Sequence, residues 1–226
     1  MLFTRKSVPS PEKVLRLVKA QEWRQGESLR ITQKPRNQAN PGARRLVVRR
    51  EGLGQLALTP MRWGLRLAVE GTTSQARPLT SVHTQSLQAH SDWRRLLNGQ
   101  RCVIPAEQFF EWKRVGDVRT REFCLTLKTG KPMMIAGLWN RTDFFGDTFA
   151  YISCQSNPLA ALVHDQMPVI LDPAAITAWF NPDTSIETLL TFLKPVKVDE
   201  IEIYPVAKPQ TTQRSNQPSL FDRQAA

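Results

Sequence analysis

The run NGQRCVIPAEQFFEWKR, residues 98–114, sets one acid, Glu111, between Phe110 and Trp112 in an otherwise apolar, strand-forming stretch. A carboxyl among aromatics loses solvation, which suits it to hold and release a proton during a reaction. The plainer alternative is a carboxylate on an edge strand, paired with a neighbouring Arg. A second candidate is His164, at the head of HDQMPVIL (164–171). An imidazole can exchange protons near neutral pH, or it can simply bond backbone at a helix end. His83 and His90 stand without an identifiable partner. Cys102, Cys124 and Cys154 are odd in number and show neither a CxxC pair nor a Cys/His cluster. That pattern argues against a disulfide scaffold and a zinc site, and for small core residues in a reducing cytoplasm. Cys154 draws notice because it sits at a polar strand end, YISCQSN. No metal or cofactor is expected.

The chain has 226 residues, and its Lys and Arg exceed its Asp and Glu by 11, from 31 against 20. Such an excess favours a polyanionic partner, nucleic acid first, over a merely basic soluble protein. Much of it is local: ARRLVVRREG carries Arg44, Arg45, Arg49 and Arg50 around a short strand-type run. Alternate residues of a strand face opposite ways, so these four cannot all line one groove. No apolar stretch approaches the ~20 residues of a membrane span. The opening MLFTRKSVPSPEK lacks the apolar core of a secretory signal. A cytoplasmic location follows as an expectation.

The elements that must position these residues can be read from periodicity. SPEKVLRLVKAQEW predicts a helix, with Ser10 as N-cap, Pro11 at the first helical position, and a stripe of Val14, Leu15, Leu17 and Val18. Strand-like runs follow: RLVVRREG, QLALTPMRWGL, RCVIPAEQFFEWKR, REFCLTLKTG, PMMIAGLWN and TFAYISCQSN, punctuated by EGLG, RVGD, KTGKP and FFGD. NPLAALVHDQ, DPAAITAWFN and DTSIETLLTFLK read as helices, the last starting near Thr184 or Ser185. DEIEIYPVAK closes the pattern as a strand. Runs of strands with helices at the ends and no βαβ alternation predict an α+β fold with a mainly antiparallel sheet, curled or barrel-like. Trp112, Trp139 and Trp179 are assigned to the core. Residues 1–208 make one domain, and 209–226, PQTTQRSNQPSLFDRQAA, are polar enough to form a disordered tail.

MRWGL (61–65), RCVIPAEQFFEW (101–112), AGLW (136–139) and HDQMPVIL (164–171) stand in an order and spacing that resemble the SRAP family, the SOS response-associated peptidases. The resemblance covers most of residues 1–208 and implies the SRAP fold. It also implies sensing of abasic sites in single-stranded DNA. In reactive family members the initiator Met is removed and an N-terminal Cys is exposed. Its amine attacks the aldehyde of the ring-opened sugar, and its thiol closes a thiazolidine that leaves a stable crosslink. A free α-amine, with an ordinary pKa of about 7.7–8.0, is partly nucleophilic at neutral pH. Imine formation then needs an acid to expel water. Carried over residue by residue, Glu111 takes the place of the family's acid and His164 that of its His. Trp63 takes the place of an aromatic beside the DNA, where stacking on a base is worth about 1–3 kcal/mol; on composition alone a core Trp is the favoured reading.

Departures from the family pattern change the expectation. Leu2 stands where the family has Cys, and a bulky second residue hinders removal of Met1. Met1 therefore offers an amine and a thioether but no thiol. TSV replaces the family's Asn-Ala-Arg, putting Thr80 at the Asn and Val82 at a phosphate-binding Arg. Gln166 replaces an Arg two residues after the His, and the N-terminal Arg is missing too. Each lost charge-assisted phosphate contact weakens binding by very roughly 1–3 kcal/mol. Arg44, Arg45, Arg49 and Arg50 are the candidates to compensate. The expected protein binds single-stranded or abasic DNA in the DNA damage (SOS) response and is defective in thiazolidine crosslinking. The alternative is an active lyase, peptidase or other hydrolase using Glu111 and His164, with reversible imine formation at the Met1 amine as one form. A third reading is an interaction scaffold without DNA binding. In the tail, QPSLF (217–221) resembles the pentapeptide that docks bacterial repair proteins on the sliding clamp. Gln217 would bond at the pocket rim, and Leu220 and Phe221 would fill its apolar groove.

Overall fold

Strand β2 (Arg44–Glu51) is the hub of a closed barrel, and its apolar middle, Leu46–Val48, is buried. It pairs antiparallel with β3 (Gln55–Trp63) on one edge and with β5 (Arg101–Ala106) on the other. Strand β5, buried along its whole length, pairs with β8 (Met133–Thr142), and β8 pairs with β9 (Gly146–Gln155). Closure comes from a short parallel pairing of β9 with β3, Thr148 to Arg62 and Phe149 to Trp63. This computed structural model describes residues 2–3, 9–18, 41–51, 54–67, 78–89 and 91–206 of the chain. The result is the α+β, barrel-centred architecture that the strand pattern predicts.

Barrel closure demands close approach, and Gly137 on β8 supplies it. A Cβ there would come within 2.4 Å of the Ile104 side chain and 2.8 Å of the Ala150 carbonyl oxygen. Beyond the barrel, β9 takes β4 (Ser81–His83) in parallel on one edge and β10 (Gln166–Pro168) antiparallel on the other. After β5 the chain needs only Glu107 and Gln108 before entering a second sheet through β6 (Phe109–Val115). That sheet runs in the order β1 (Leu2–Phe3), β6, β7 (Val118–Leu127), β11 (Ile201–Pro205).

Helices α1 (Pro11–Val18), α2 (Thr84–Ala89), α3 (Ser91–Gly99), α4 (Pro173–Phe180) and α5 (Ile186–Thr191) complete the fold. Asp172 caps α4 by accepting from the Ala175 amide at 2.8 Å, with Pro173 in the first turn, and Ser185 caps α5 through the Thr188 amide at 3.1 Å. The predicted helix in NPLAALVHDQ shrinks to one 3-10 turn at Ala160–Leu162. Asn157 caps that turn through the Ala160 amide, and the chain then leaves at once to pair with β9, so the helix cannot propagate. Helices α2 and α3 lie in a stretch to which the sequence pattern assigns no element. The three thiols are core: Cys102, Cys124 and Cys154 are buried, and burial pushes Cys154 up to about 12 and raises the other two. The polar strand end around Cys154 therefore does not expose it. No helix among the described residues is long and apolar enough to cross a membrane, and no group of three or more metal-ligating side chains occurs among them.

One buried cation locks two helices to the barrel. Arg101, at the start of β5, donates to the carbonyls of Leu97 and Asn98 at the end of α3 and to those of Trp179 and Asn181 at the end of α4. The last carbonyls of a helix lack intrahelical partners and carry its negative dipole end, so a guanidinium there satisfies both needs. Arg101→Met would strip donors from these carbonyls. It should lower the unfolding free energy by about 2–4 kcal/mol, measured by urea titration. A loss below about 0.5 kcal/mol, the range of an ordinary surface change, would contradict the role.

Candidate functional site

The β6–β7 ladder is regular from Phe109 to Lys113, pairing Phe109 with Leu125, Glu111 with Phe123 and Lys113 with Arg121. Strand alternation therefore puts Phe109, Glu111 and Lys113 on one face, beside their partners on β7. Phe109, Glu111, Phe123 and Leu125 form one side of a small cleft. The segment that carries the 3-10 turn and β10 forms the other side, contributing His164 and Gln166. The acid and the histidine, 53 positions apart in the chain by their numbers 111 and 164, thus face one small space.

The Glu111 carboxyl is half-buried, and its Oε1 accepts from the Trp112 amide at 3.0 Å. Behind it lies Tyr151 of β9, almost fully buried and packed edge-on against Phe109 with ring centroids 5.9 Å apart. Burial pushes the Tyr151 phenol well above its ordinary range; the hydrogen bond with Ser81 opposes this and the Glu111 charge adds to it. Tyr151 therefore stays a neutral phenol behind the acid. His164 Nδ1 lies 3.1 Å from the Gln166 amide and 3.0 Å from Asp165 Oδ1. In the neutral ring the amide donates to Nδ1 and the proton sits on Nε2. When the ring is protonated, Nδ1–H can instead meet Asp165 or the Gln166 carbonyl at 3.2 Å. Gln166 is itself tied down, its Oε1 accepting from the Ser153 hydroxyl at 3.1 Å.

The start of the chain is brought to the same place. Leu2 pairs with Phe110 and Phe3 with Phe109, antiparallel, so β1 runs along β6 with its leading end directed toward Glu111. Met1 lies outside the described residues. Thr80 is not brought into the cleft: its carbonyl accepts from Trp63 Nε1 at 2.9 Å and from the Tyr151 amide at 3.4 Å. Val82, in the position of a family phosphate contact, is buried in the core. His83 accepts from the Gln85 amide at 3.3 Å, a turn contact at the start of α2, while His90 lies outside the described residues.

Trp63 and two of the four arginines of the basic segment are buried. Trp63 is 1% exposed and its N–H is used internally, so it has no face for a base to stack on and belongs to the core. Arg45 and Arg49 are buried too. Arg49 pairs with Glu51 at 2.6 Å and with Asp147 at 2.9 Å, and its guanidinium lies 4.4 Å over the Trp139 ring. Arg50 is half-buried and donates to the Phe180 carbonyl at 3.2 Å. Arg44 alone of the four is exposed. Arg49 and Arg50 thus tie parts of the fold together, because burial obliges a cation to find acceptors. Trp179 is in the core as expected, whereas Trp112 and Trp139 are only half-buried. Residues missed in the sequence are Phe123 and Tyr151. The alternating run REFCLTL could have given Phe123 once a hairpin at VGD was drawn; nothing local marks Tyr151.

Comparison with known proteins gives the family. The family model of the SOS response associated peptidases (SRAP) matches residues 6–210. Abasic site processing protein YoqW of Bacillus subtilis is 30% identical over 172 residues, spanning 73% of this chain and 76% of that protein. Abasic site processing protein HMCES of Rattus norvegicus is 25% identical over 202 residues, spanning 72% of this chain and 55% of that one. A solved phage-related protein from Bordetella bronchiseptica shares the fold with a TM-score of 0.69 at 22% identity, covering 92% of this chain and 94% of that one. With a family match over most of its length and its acid and histidine meeting in one cleft, this chain belongs to the SRAP family.

Proposed function

We propose that this protein binds abasic sites in single-stranded DNA, seats the base-less sugar in the Glu111–His164 cleft, and does not seal it into a thiazolidine. The observation that carries this reading is the convergence of Glu111, His164 and the leading end of β1 on one small space. Similarity to proteins named abasic site processing proteins supports the same substrate, as does the excess of 11 positive charges. Glu111 is placed to give a proton to a departing water or hydroxyl, and His164 to exchange one through Nε2. What is missing is sulfur. Position 2, opposite Phe110, carries Leu, and the three cysteines are buried with raised pKa values, which leaves none as a thiolate nucleophile.

A second reading keeps some chemistry: an amine at the leading end of β1 forms a reversible imine with the open sugar, and strand cleavage follows from it. The direction of β1 toward Glu111 favours it over a peptidase. Residues 1–208 would be the working domain. The tail peptide Gln217–Phe221, outside the described residues, extends the reading to docking on a bacterial sliding clamp. Truncation at residue 216 should abolish clamp binding, and clamp binding kept by the truncated chain would remove that extension.

The test of the main reading uses fluorescence anisotropy with an abasic single strand and an intact strand of the same sequence. The abasic strand should bind about tenfold tighter, a difference of about 1.4 kcal/mol. Glu111→Gln should erode that preference severalfold while leaving binding of the intact strand unchanged. Equal affinity for both strands would overturn the reading. An adduct trapped only with borohydride would establish the imine as well.

A further inference from the structure

We infer that Lys113 and Arg121 form a phosphate clamp at the open end of the cleft, holding the DNA strand as it leaves along the β6–β7 hairpin. This rests on the reading that the cleft receives an abasic strand. The cleft lining contains Glu111 and His164 but no Lys or Arg, so a strand entering it must find its countercharge outside the lining. The positions where the sequence pattern would place a phosphate contact are spent elsewhere: Val82 is in the core and Gln166 is bonded to Ser153. Arg45 and Arg49 are buried.

The ladder itself supplies the replacement. Lys113 and Arg121 are directly opposite one another, on the face that carries Glu111 and Phe123. They lie one alternation further out, about 7 Å along the strand. Arg121 lies 6.0 Å from the centre of the Phe123 ring, which fixes it on the cleft side of the sheet. Both side chains are exposed, and among the described residues neither is in an ion pair. Two like charges set directly opposite repel each other and destabilise a bare hairpin, so their pairing is better explained by an anion that bridges them. Further out the hairpin turns its cations away: the register shifts between Lys113 and Arg114, and Arg119 lies 6.0 Å from the ring of Trp112, which alternates with Glu111. Lys113 and Arg121 are thus the hairpin cations that share the face of the acid. Phe123, between the pair and the acid, offers a ring at the point where the strand turns in.

The full chain carrying Lys113→Gln and Arg121→Gln together would be titrated with a labelled abasic single strand at several salt concentrations. Affinity at low salt should fall at least tenfold. The slope of log K against log salt should shrink by about 1.4, the release expected for two phosphate contacts on a single strand. A control pair of exposed cations elsewhere, Arg94→Gln with Lys128→Gln, should leave the slope nearly unchanged. Urea unfolding midpoints matched to the unaltered chain confirm that the variants fold. An unaltered slope in the Lys113/Arg121 variant would overturn the clamp, and so would an equal loss in the control pair. Failure of the unaltered chain to bind any single strand would instead overturn the function on which the clamp rests.

Discussion

Strand β6 is hydrogen-bonded on both edges, to β1 through Phe109 and Phe110 and to β7 along its length, and this double pairing decides which side chains reach the cleft. A strand fixed on both sides cannot slip by one residue. Such a slip would exchange faces and turn Glu111 away from His164. The strand enters the sheet only two residues after β5, which is buried throughout in the barrel, so its register is inherited from the core. Phe109 and Tyr151 pack edge-on behind the acid and bind the two layers together at that point. The cleft is thus a consequence of how the barrel hands its chain to the second sheet.

Charge in this protein divides into two populations with different work. Arg49 and Arg50 of β2 and Arg101 of β5 are consumed by carboxylates, carbonyls and a Trp ring. Breaking such a contact leaves a buried charge without a partner, which costs far more than loss of a surface ion pair. Lys113 and Arg121 of the β6–β7 hairpin are exposed and share the face of Glu111. Net charge signals a polyanionic partner, but only burial separates the residues that could touch it from those that cannot.

Much of the fold was legible in the sequence because local signals and tertiary context agree. The alternating runs became strands, Asp172-Pro173 opened a helix, and Ser185 capped another. Helix α3 was readable in principle, since Trp93, Leu96 and Leu97 repeat at helical spacing and are buried, but the preceding polar stretch masked it. NPLAALV has helical composition, yet pairing of the following residues with β9 overrides it. For the site, Glu111 and His164 could be chosen from their settings and from family resemblance, and the cleft joins them. Trp63 could not be placed, because a core Trp and a stacking Trp look alike in a strand. Arg45 and Arg49 misled for a related reason: a buried Arg is recognised by its acceptors, and Asp147 lies about 100 residues away in the chain.

The proposed reading turns on Leu2, which brings no thiol to the place where β1 approaches the acid and the histidine. The most direct measurement uses a protein whose first residue is cysteine at position 2, the L2C variant without Met1. It is incubated with an abasic single strand, without reductant, and resolved on a denaturing gel after heating. A heat-stable adduct should form with L2C and not with the unaltered chain, and E111Q added to L2C should slow it at least tenfold. An L2C protein that binds the abasic strand yet forms no adduct, or an unaltered chain that forms one, would contradict the account.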